Sequence, residues 1–226
     1  SEAANNQIGG FLTENRNIIG SCGEGISVSG GSNHNRFNNN YVGIAADGVT
    51  PISNHDGIVL RDSTLNNVGG YINESPNVIS SNQENGIILD NSPSNRVSGN
   101  FIGTTSDGAA AAGNATGVNI RNGSANNFVG GTTFYEKNVI SGQNATNNSV
   151  GVLIKPDAGV NNTVAGNYLG VSLNGDVGLP NRVGIAVNAD NQTIGNAYES
   201  QYRNLIISAD TSGAYGVYLH PFFPND

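Results

Sequence analysis

The chain has 226 residues, a formal net charge of −8, 32 glycines, one cysteine and only 12% charged residues. The negative charge argues against nucleic acid and anionic membranes as partners, because both are bound through basic faces. No apolar run approaches the ~18 residues of a membrane-spanning helix, and a single cysteine excludes an internal disulfide.

The strongest pattern is a glycine followed by an aliphatic residue, any residue and a second aliphatic residue. Seven glycines begin such a segment: Gly25, Gly57, Gly86, Gly117, Gly151, Gly184 and Gly216. The steps between them are 29 to 34 residues. This period indicates stacked repeats, in which each unit buries its apolar face against its neighbours. Because the repeat meets no linker-like segment, we predict one domain over residues 1–226.

Each period also contains two shorter strands. One begins with asparagine, as in Asn77-Val78-Ile79, and the other ends in a small or polar residue, as in Asn95-Arg96-Val97-Ser98. Three strands of this length, each with an apolar residue at alternate positions, predict one coil of a three-sided solenoid. No segment offers the 3.6-residue apolar stripe of a helix.

Asparagine returns at the start of one strand in every coil. Stacked asparagine side chains hydrogen-bond to one another and to the turn backbone, which satisfies polar groups at a buried bend. We therefore predict a structural ladder, made of Asn17, Asn40, Asn77, Asn100, Asn138, Asn167 and Asn204.

Longer connections alternate from coil to coil. A 13-residue loop follows the asparagine-led strand in three coils, at residues 44–56, 104–116 and 171–183. An insertion precedes that strand in the others, at residues 11–16, 71–76, 132–137 and 197–203. The repeating unit is therefore a pair of coils of about 60 to 66 residues.

Several of these segments carry a family resemblance. They are Asn-Val-Ile-Ser at 77–80 and 138–141, Gly-Asn-Phe-Ile-Gly-Thr-Thr-Ser-Asp-Gly at 99–108, and Gly-Asn-Tyr-Leu-Gly at 166–170. With them the chain resembles the right-handed parallel β-helix repeats of the pectin-lyase-like superfamily. It is most similar to repeat-rich surface and secreted proteins of bacteria and archaea. The fold class implied is all-β, a right-handed three-sided parallel β-helix of about seven coils in two-coil repeats.

The resemblance implies no single function, because the superfamily includes lyases, hydrolases, adhesins and structural rods. The motifs of its polygalacturonase-like members, Asn-Thr-Asp, Asp-Asp and Gly-His-Gly, do not occur. A lyase-like site implies a calcium ion held by acids beside an arginine base. The candidates are Arg61, Asp62, Asp90 and Arg121, which fall on neighbouring coils. The alternative interpretation is a ladder of paired charges. We expect no cofactor or metal, with Ca²⁺ only if this lyase interpretation holds.

The insertions carry a second candidate site. Their glutamates and tyrosines, repeating every second coil, suit a ridge that binds polysaccharide: Tyr71, Glu74, Tyr135, Glu136, Tyr198 and Glu199. The alternative is that the aromatic residues cover the apolar corner and that the glutamates are solvated or paired with basic neighbours.

Outward positions of two strands form apolar columns, which either the 13-residue loops or another molecule must cover. The absence of a family catalytic motif favours a non-catalytic structural rod that self-associates end to end or along these columns. The alternative is a carbohydrate-active domain that binds or cleaves an extracellular polysaccharide. Low charge and many asparagine, glycine and serine residues suggest a secreted or cell-surface location.

Overall fold

The computed structural model describes residues 2–70, 76–133, 135–143, 149–195 and 203–220. The chain forms three parallel sheets of seven strands each, and every coil contributes one strand to each sheet. Strands are numbered in chain order. The first sheet contains β1 (Gln7–Gly9), β4 (Arg36–Asn38), β7 (Asn67–Gly69), β10 (Arg96–Ser98), β13 (Phe128–Gly130), β16 (Thr163–Ala165) and β19 (Thr193–Ile194).

The second sheet holds the asparagine-led strands: β2 (Ile18–Ile19), β5 (Tyr41–Val42), β8 (Val78–Ile79), β11 (Phe101–Ile102), β14 (Val139–Ile140), β17 (Tyr168–Leu169) and β20 (Leu205–Ile206). The third sheet holds the glycine-containing strands: β3 (Glu24–Val28), β6 (Asp56–Arg61), β9 (Asn85–Asp90), β12 (Thr116–Arg121), β15 (Val150–Ile154), β18 (Val183–Val187) and β21 (Tyr215–Leu219). Helical structure within the described residues is a single 3₁₀ turn at Thr13–Asn15.

This arrangement confirms the predicted all-β, three-sided solenoid. The chain makes six turns between β1 and β19, so the predicted seven coils is an approximate count. The right-handed sense of the winding stays a prediction.

One apolar core runs through the middle of the solenoid. The middle residue of each first-sheet strand faces it, as do two aliphatic residues of each third-sheet strand. Val68, Val97, Ile58 and Leu60 are examples, and all four are 0% exposed. Because a coil is one residue layer thick, its core residues are covered only by the coils on either side.

The 13-residue loops lie over the outer face of the second sheet. Ile44 of the first loop packs in one cluster with the outward residues Tyr41 and Val78. The loops also hydrogen-bond to one another, from Ser106 N–H to the Gly48 carbonyl at 3.0 Å and from Leu173 N–H to the Gly108 carbonyl at 3.0 Å. The chain itself therefore buries Tyr41, Val78 and Val139 of the predicted apolar column, whereas Ile18 at its start is 41% exposed.

Basic side chains cover the tyrosines of the same face. The Arg16 guanidinium lies 3.9 Å from the centre of the Tyr41 ring. The Lys137 ammonium lies 3.4 Å from the centre of the Tyr168 ring. Such cation–π contacts stabilise the edge where each insertion rejoins the solenoid.

Amide side chains hydrogen-bond from coil to coil at all three corners. The predicted ladder precedes the second sheet, with donor–acceptor distances of 2.9–3.1 Å. A second precedes the first sheet and contains Asn6, Asn35, Asn66, Asn95, Asn127, Asn162 and Gln192. A third precedes the third sheet and contains Asn54, Asn82, Asn114, Gln143 and Asn181, with the backbone of Cys22 at its first position.

All three ladders have the same direction. Each residue donates its backbone N–H, its side-chain NH₂ or both to the amide oxygen of the next coil. Asn40, for example, donates both groups to Asn77 Oδ1, at 2.9 and 3.0 Å. The NH₂ group of Asn77 in turn reaches Asn100 Oδ1 at 2.9 Å and the Phe37 carbonyl at 2.7 Å. One buried amide therefore satisfies polar groups on three coils.

A left-handed residue at the end of each first-sheet strand marks which connection follows. Gly9 adopts φ +82° at the end of β1, and a side chain there would lie 2.0 Å from the Asn38 carbonyl oxygen. The chain leaves the solenoid at this point into the insertion at residues 11–16. In the next coil the left-handed residue is Asn39, one position later, and the chain proceeds directly to the ladder residue Asn40. The alternation of these two bends produces the two-coil repeat.

We predict that Asn77→Ala lowers the free energy of unfolding by about 3 kcal/mol, because the buried donors on Asn40 and the buried acceptors on Asn100 and Phe37 lose their bonds to Asn77. Urea denaturation measures the change. The matched control is Asn67→Ala, since the Asn67 side chain makes no hydrogen bond within the described residues. We expect that control to cost less than about 0.5 kcal/mol. Equal losses in the two variants would contradict a structural role for the ladder.

Candidate binding cleft on the first sheet

The outer face of the first sheet carries two rows of side chains. Strand alternation points the first and third residue of each strand outward, because the middle one faces the core. The first row is polar over most of its length and contains Gln7, Arg36, Asn67, Arg96, Phe128, Thr163 and Thr193. The second row is small, with Gly9, Asn38, Gly69, Ser98, Gly130 and Ala165.

Small residues beside a wall of longer ones leave a cleft on this face. Its volume is about 120 Å³, and it is lined by Phe11, Arg36, Asn38, Asn67, Gly69, Gly70, Arg96 and Ser98. Phe11 comes from the insertion before β2, and the other residues belong to three successive coils. In-register parallel strands lie about 4.8 Å apart, so Arg36, Asn67 and Arg96 form an evenly spaced row.

Asn38 differs from the asparagines of the ladders. It is only 8% exposed, yet its Oδ1 is buried without a hydrogen-bond partner. Within the described residues, the side chains of Arg36 and Asn67 also make no hydrogen bond or ion pair. Polar groups without a partner therefore lie on this face, as Asn119 Oδ1 and Asn162 Nδ2 do elsewhere in the described residues.

A buried glutamate holds Arg96 at the edge of the cleft. Glu136 is 2% exposed, and its Oε1 accepts from Arg96 Nη2 at 2.8 Å. Its Oε2 accepts from the backbone N–H groups of Thr132 and Thr133, at 2.9 and 3.1 Å. The Arg96 guanidinium also lies 4.8 Å from the centre of the Phe128 ring. Glu136 therefore holds the Arg96 side chain against the backbone of the insertion.

The electrostatics of Glu136 follow from these contacts. Burial raises the pKa of the Glu136 carboxyl, but the hydrogen bonds from Thr132 and Thr133 and the charge of Arg96 outweigh it, so the pKa is lowered overall. The ionised form is therefore the one that stabilises the fold.

The structure describes only two of the six residues predicted to form the polysaccharide ridge, Tyr135 and Glu136. Tyr135 is 46% exposed at the surface, whereas Glu136 is directed inward to Arg96. The other four residues, Tyr71, Glu74, Tyr198 and Glu199, lie outside the described residues. Sugar binding by this ridge stays a prediction, and both carboxylate oxygens of Glu136 already accept hydrogen bonds.

Charged pairs take up the candidate lyase residues on the third sheet. Arg121 donates to Asp90 Oδ2 from Nε at 3.0 Å and from Nη2 at 2.8 Å. Arg61 lies opposite Asp90 in register but donates to both carboxylate oxygens of Glu24 on the preceding coil. The Asp62 carboxylate accepts from Asn91 Nδ2 at 2.7 Å. The structure therefore splits the four residues among three separate contacts.

Two of these carboxylates, Asp90 and Glu24, are held in their ionised form. Burial raises the pKa of Asp90, but hydrogen bonds from Asn122 and Arg121 lower it by more. The hydrogen bond from Arg61 lowers the pKa of Glu24. A general acid needs the opposite shift. Within the described residues, no group of three or more His, Cys, Asp or Glu side chains is arranged to hold a metal ion.

Comparisons of this chain with protein-family models, with curated proteins and with solved structures gave no match. The solenoid architecture is shown by the structure, and membership of the pectin-lyase-like superfamily stays a prediction. No helix within the described residues is both long and apolar enough to cross a membrane.

We predict that Glu136→Gln lowers the free energy of unfolding at neutral pH by about 2 kcal/mol, because it removes the charge opposite Arg96. The folded-state pKa of Glu136 lies below its ordinary value of 4.5. Its contribution is therefore complete above that value and is lost as pH falls through the folded pKa. Thermal melts from about pH 6 to about pH 3 should show a smaller loss in the variant than in the wild type.

The control for this experiment is Glu14→Gln, which changes an exposed glutamate in the insertion before β2. Its melting temperature at neutral pH should match that of the wild type. If Glu136→Gln and the wild type lose stability in parallel as the pH falls, the assigned role of Glu136 is wrong.

Proposed function

We propose that this protein is a non-catalytic structural rod, secreted or at the cell surface, that associates end to end. The observation that carries the proposal is the set of three amide ladders running in one direction through the coils. Side chains that bond to the next coil stiffen the solenoid and leave the corners without groups for a ligand. The location outside the cell is supported by composition alone, through low charge and many asparagine and glycine residues.

The contacts of the charged residues support a structural role. The two acids of the candidate lyase site are both hydrogen-bonded, Asp62 to Asn91 and Asp90 to Arg121 and Asn122. The bonds from Asn122 and Arg121 lower the pKa of Asp90. An acid that is ionised and paired stabilises a coil-to-coil contact but is a poor proton donor. Arg61 and Arg121 donate hydrogen bonds to Glu24 and Asp90, so neither guanidinium is placed to act as a base.

Apolar core residues lie at both ends of the described solenoid. At one end, a hollow is lined by Ile8, Ile26 and Val28. At the other, the core-facing residues Val217 and Leu219 of β21 are 42% and 71% exposed. Stacking a second copy head to tail would bring apolar residues against this hollow and add its β1, β2 and β3 to the three sheets in parallel.

The ladders favour the same orientation. Their first residues, Asn6 and Asn17, have side-chain oxygens that receive no hydrogen bond within the described residues. A head-to-tail neighbour would supply the donors, since Asn204 would face Asn17 as Asn167 faces Asn204. A head-to-head contact would instead set acceptor against acceptor. Side-by-side association is less favoured, because the loops already cover the outer column of the second sheet.

The test is a concentration series by light scattering and electron microscopy. We expect particle masses to grow in steps of 23.2 kDa into linear fibres. Leu219→Lys places a charge on the exposed core-facing edge and should leave the protein monomeric. The matched control, Val49→Lys, changes a residue that is 60% exposed on a loop and should still form fibres. A wild type that stays monomeric at every concentration would overturn end-to-end association.

The alternative function, a carbohydrate-active domain, has one observation in its favour. It is the cleft on the first sheet, where the side chains of Arg36, Asn38 and Asn67 have no hydrogen-bond partner within the described residues.

A further inference from the structure

We propose that Asn174, in the third 13-residue loop, is a site of spontaneous deamidation whose aspartate product the loop accommodates. The modification needs only water and the backbone nitrogen of Gly175. It does not depend on the proposed rod function, since the loop lies on the side of the solenoid and not at its ends.

The reaction is an intramolecular displacement followed by hydrolysis. The backbone nitrogen of Gly175 gives its proton to solvent and bonds to Cγ of Asn174. The bond from Cγ to the side-chain nitrogen breaks, and that nitrogen takes up a proton and leaves as ammonia. Water then opens the five-membered succinimide at either carbonyl, which gives aspartate or isoaspartate. Glycine favours the first step, because no Cβ obstructs the approach of its nitrogen.

Three asparagines in the chain precede a glycine: Asn85, Asn122 and Asn174. Their side chains differ in what holds them. Asn85 donates its side-chain NH₂ group to Asp56 Oδ1 at 2.8 Å. The Asn122 amide donates to Asp90 Oδ1 at 2.6 Å. Asn174 is exposed, and its side chain makes no hydrogen bond within the described residues. Its Cγ can therefore turn toward the next backbone nitrogen without breaking a side-chain bond.

The attacking nitrogens of the two exposed pairs are themselves hydrogen-bonded. Gly175 N–H donates to the Ser172 carbonyl at 2.9 Å, and Gly123 N–H donates to the Asp157 carbonyl at 2.6 Å. Each bond must open locally before the nitrogen can attack. The pair at Gly175 has to open this backbone bond, whereas the pair at Gly123 must release its asparagine side chain as well.

The other two 13-residue loops show that an aspartate fits this position. Asp47 and Asp107 take the place of Asn174 there, and each precedes a glycine with positive φ. Hydrogen bonds from the hydroxyl and backbone of Thr50 and from the backbone of Val49 lower the pKa of the Asp47 carboxyl to about 2. The N–H group two residues after the carboxylate bonds to it in both loops, and the third loop has the same group. The loop therefore favours an ionised carboxylate at this position.

The isoaspartate product would disturb the loop more than aspartate does. It inserts a methylene group into the backbone beside Leu173, whose N–H bonds to the Gly108 carbonyl of the neighbouring loop at 3.0 Å. The aspartate form leaves the backbone unchanged and retains this contact. Either product adds one negative charge to the formal net charge of −8, so both are separable from the parent by anion exchange.

The experiment incubates the folded protein in mildly alkaline buffer and follows its proteolytic peptides by mass spectrometry, with isoaspartate detected by an isoaspartyl methyltransferase. We expect Asn174 to convert about tenfold or more faster than Asn85 and Asn122, because each of those must break a further hydrogen bond to a charged group. In urea, where the structure is lost, the three sites should convert at similar rates. The matched control, Asn174→Gln, should stay a single species on anion exchange while the wild type acquires acidic ones.

The product is tested with Asn174→Asp, which should melt at or above the wild-type temperature and coelute with one of the acidic species. A lower melting temperature would show that the loop does not accommodate the carboxylate, and the second half of the proposal would be wrong. The first half is overturned if Asn174 stays unmodified in the folded protein, or if the three sites convert at equal rates without urea. None of these outcomes bears on fibre formation.

Discussion

A chain that turns three times per coil leaves backbone N–H and C=O groups at every corner that its sheets cannot pair. Here side-chain amides take those groups. The strands are too short to hold the solenoid by sheet hydrogen bonds alone, since β2 and its second-sheet neighbours contain two residues each. An amide suits the position because it accepts from one coil while it donates to another. A carboxylate cannot donate, and a hydroxyl carries only one proton.

The longer connections outside the core begin and end at these corners. Where a left-handed glycine such as Gly9 ends a strand early, the chain makes an excursion before it returns to the ladder. The excursions alternate between the two ends of the second-sheet strands, so each has the height of two coils to fill. The 13-residue loops use that height to cover the second sheet and to bond to one another, while the insertion before β2 contributes Phe11 to the cleft.

The sequence was sufficient for the fold because the glycine-led pattern and the asparagine positions both repeat along the chain. It predicted one ladder of the three. The other two were visible in part, since Asn35, Asn66 and Asn95 head the first-sheet strands. They were hidden as ladders because Gln143, Gln192 and Cys22 interrupt the run of asparagines. Glutamine carries the same amide on a longer side chain, so the ladder hydrogen bonds continue at positions where glutamine replaces asparagine.

The charged residues were harder to interpret. Arg61 and Asp90 lie in register, as the repeat predicted, yet Arg61 reaches back to Glu24. Alternation and period define which strands are neighbours but not the rotamer of a long side chain. The partnership of Glu136 with Arg96 depends on how an insertion folds, and no period in the sequence specifies that. The cleft was missed for a related reason, because an unpaired group such as Asn38 Oδ1 is recognised only after all other hydrogen bonds are assigned.

The common direction of the ladders has an electrostatic consequence. In a parallel sheet the backbone dipoles nearly cancel, because successive peptide groups point to opposite sides. The ladder amides do not cancel, since each N–H group points toward the following coil and each oxygen toward the preceding one. Three columns of aligned dipoles therefore run along the solenoid, as the peptide groups do in an α-helix. The described solenoid therefore has a partial negative charge where Asn6 and Asn17 lie and a partial positive charge at the coil of Asn204. In an external field, or beside a charged surface, the two ends of this protein are not equivalent.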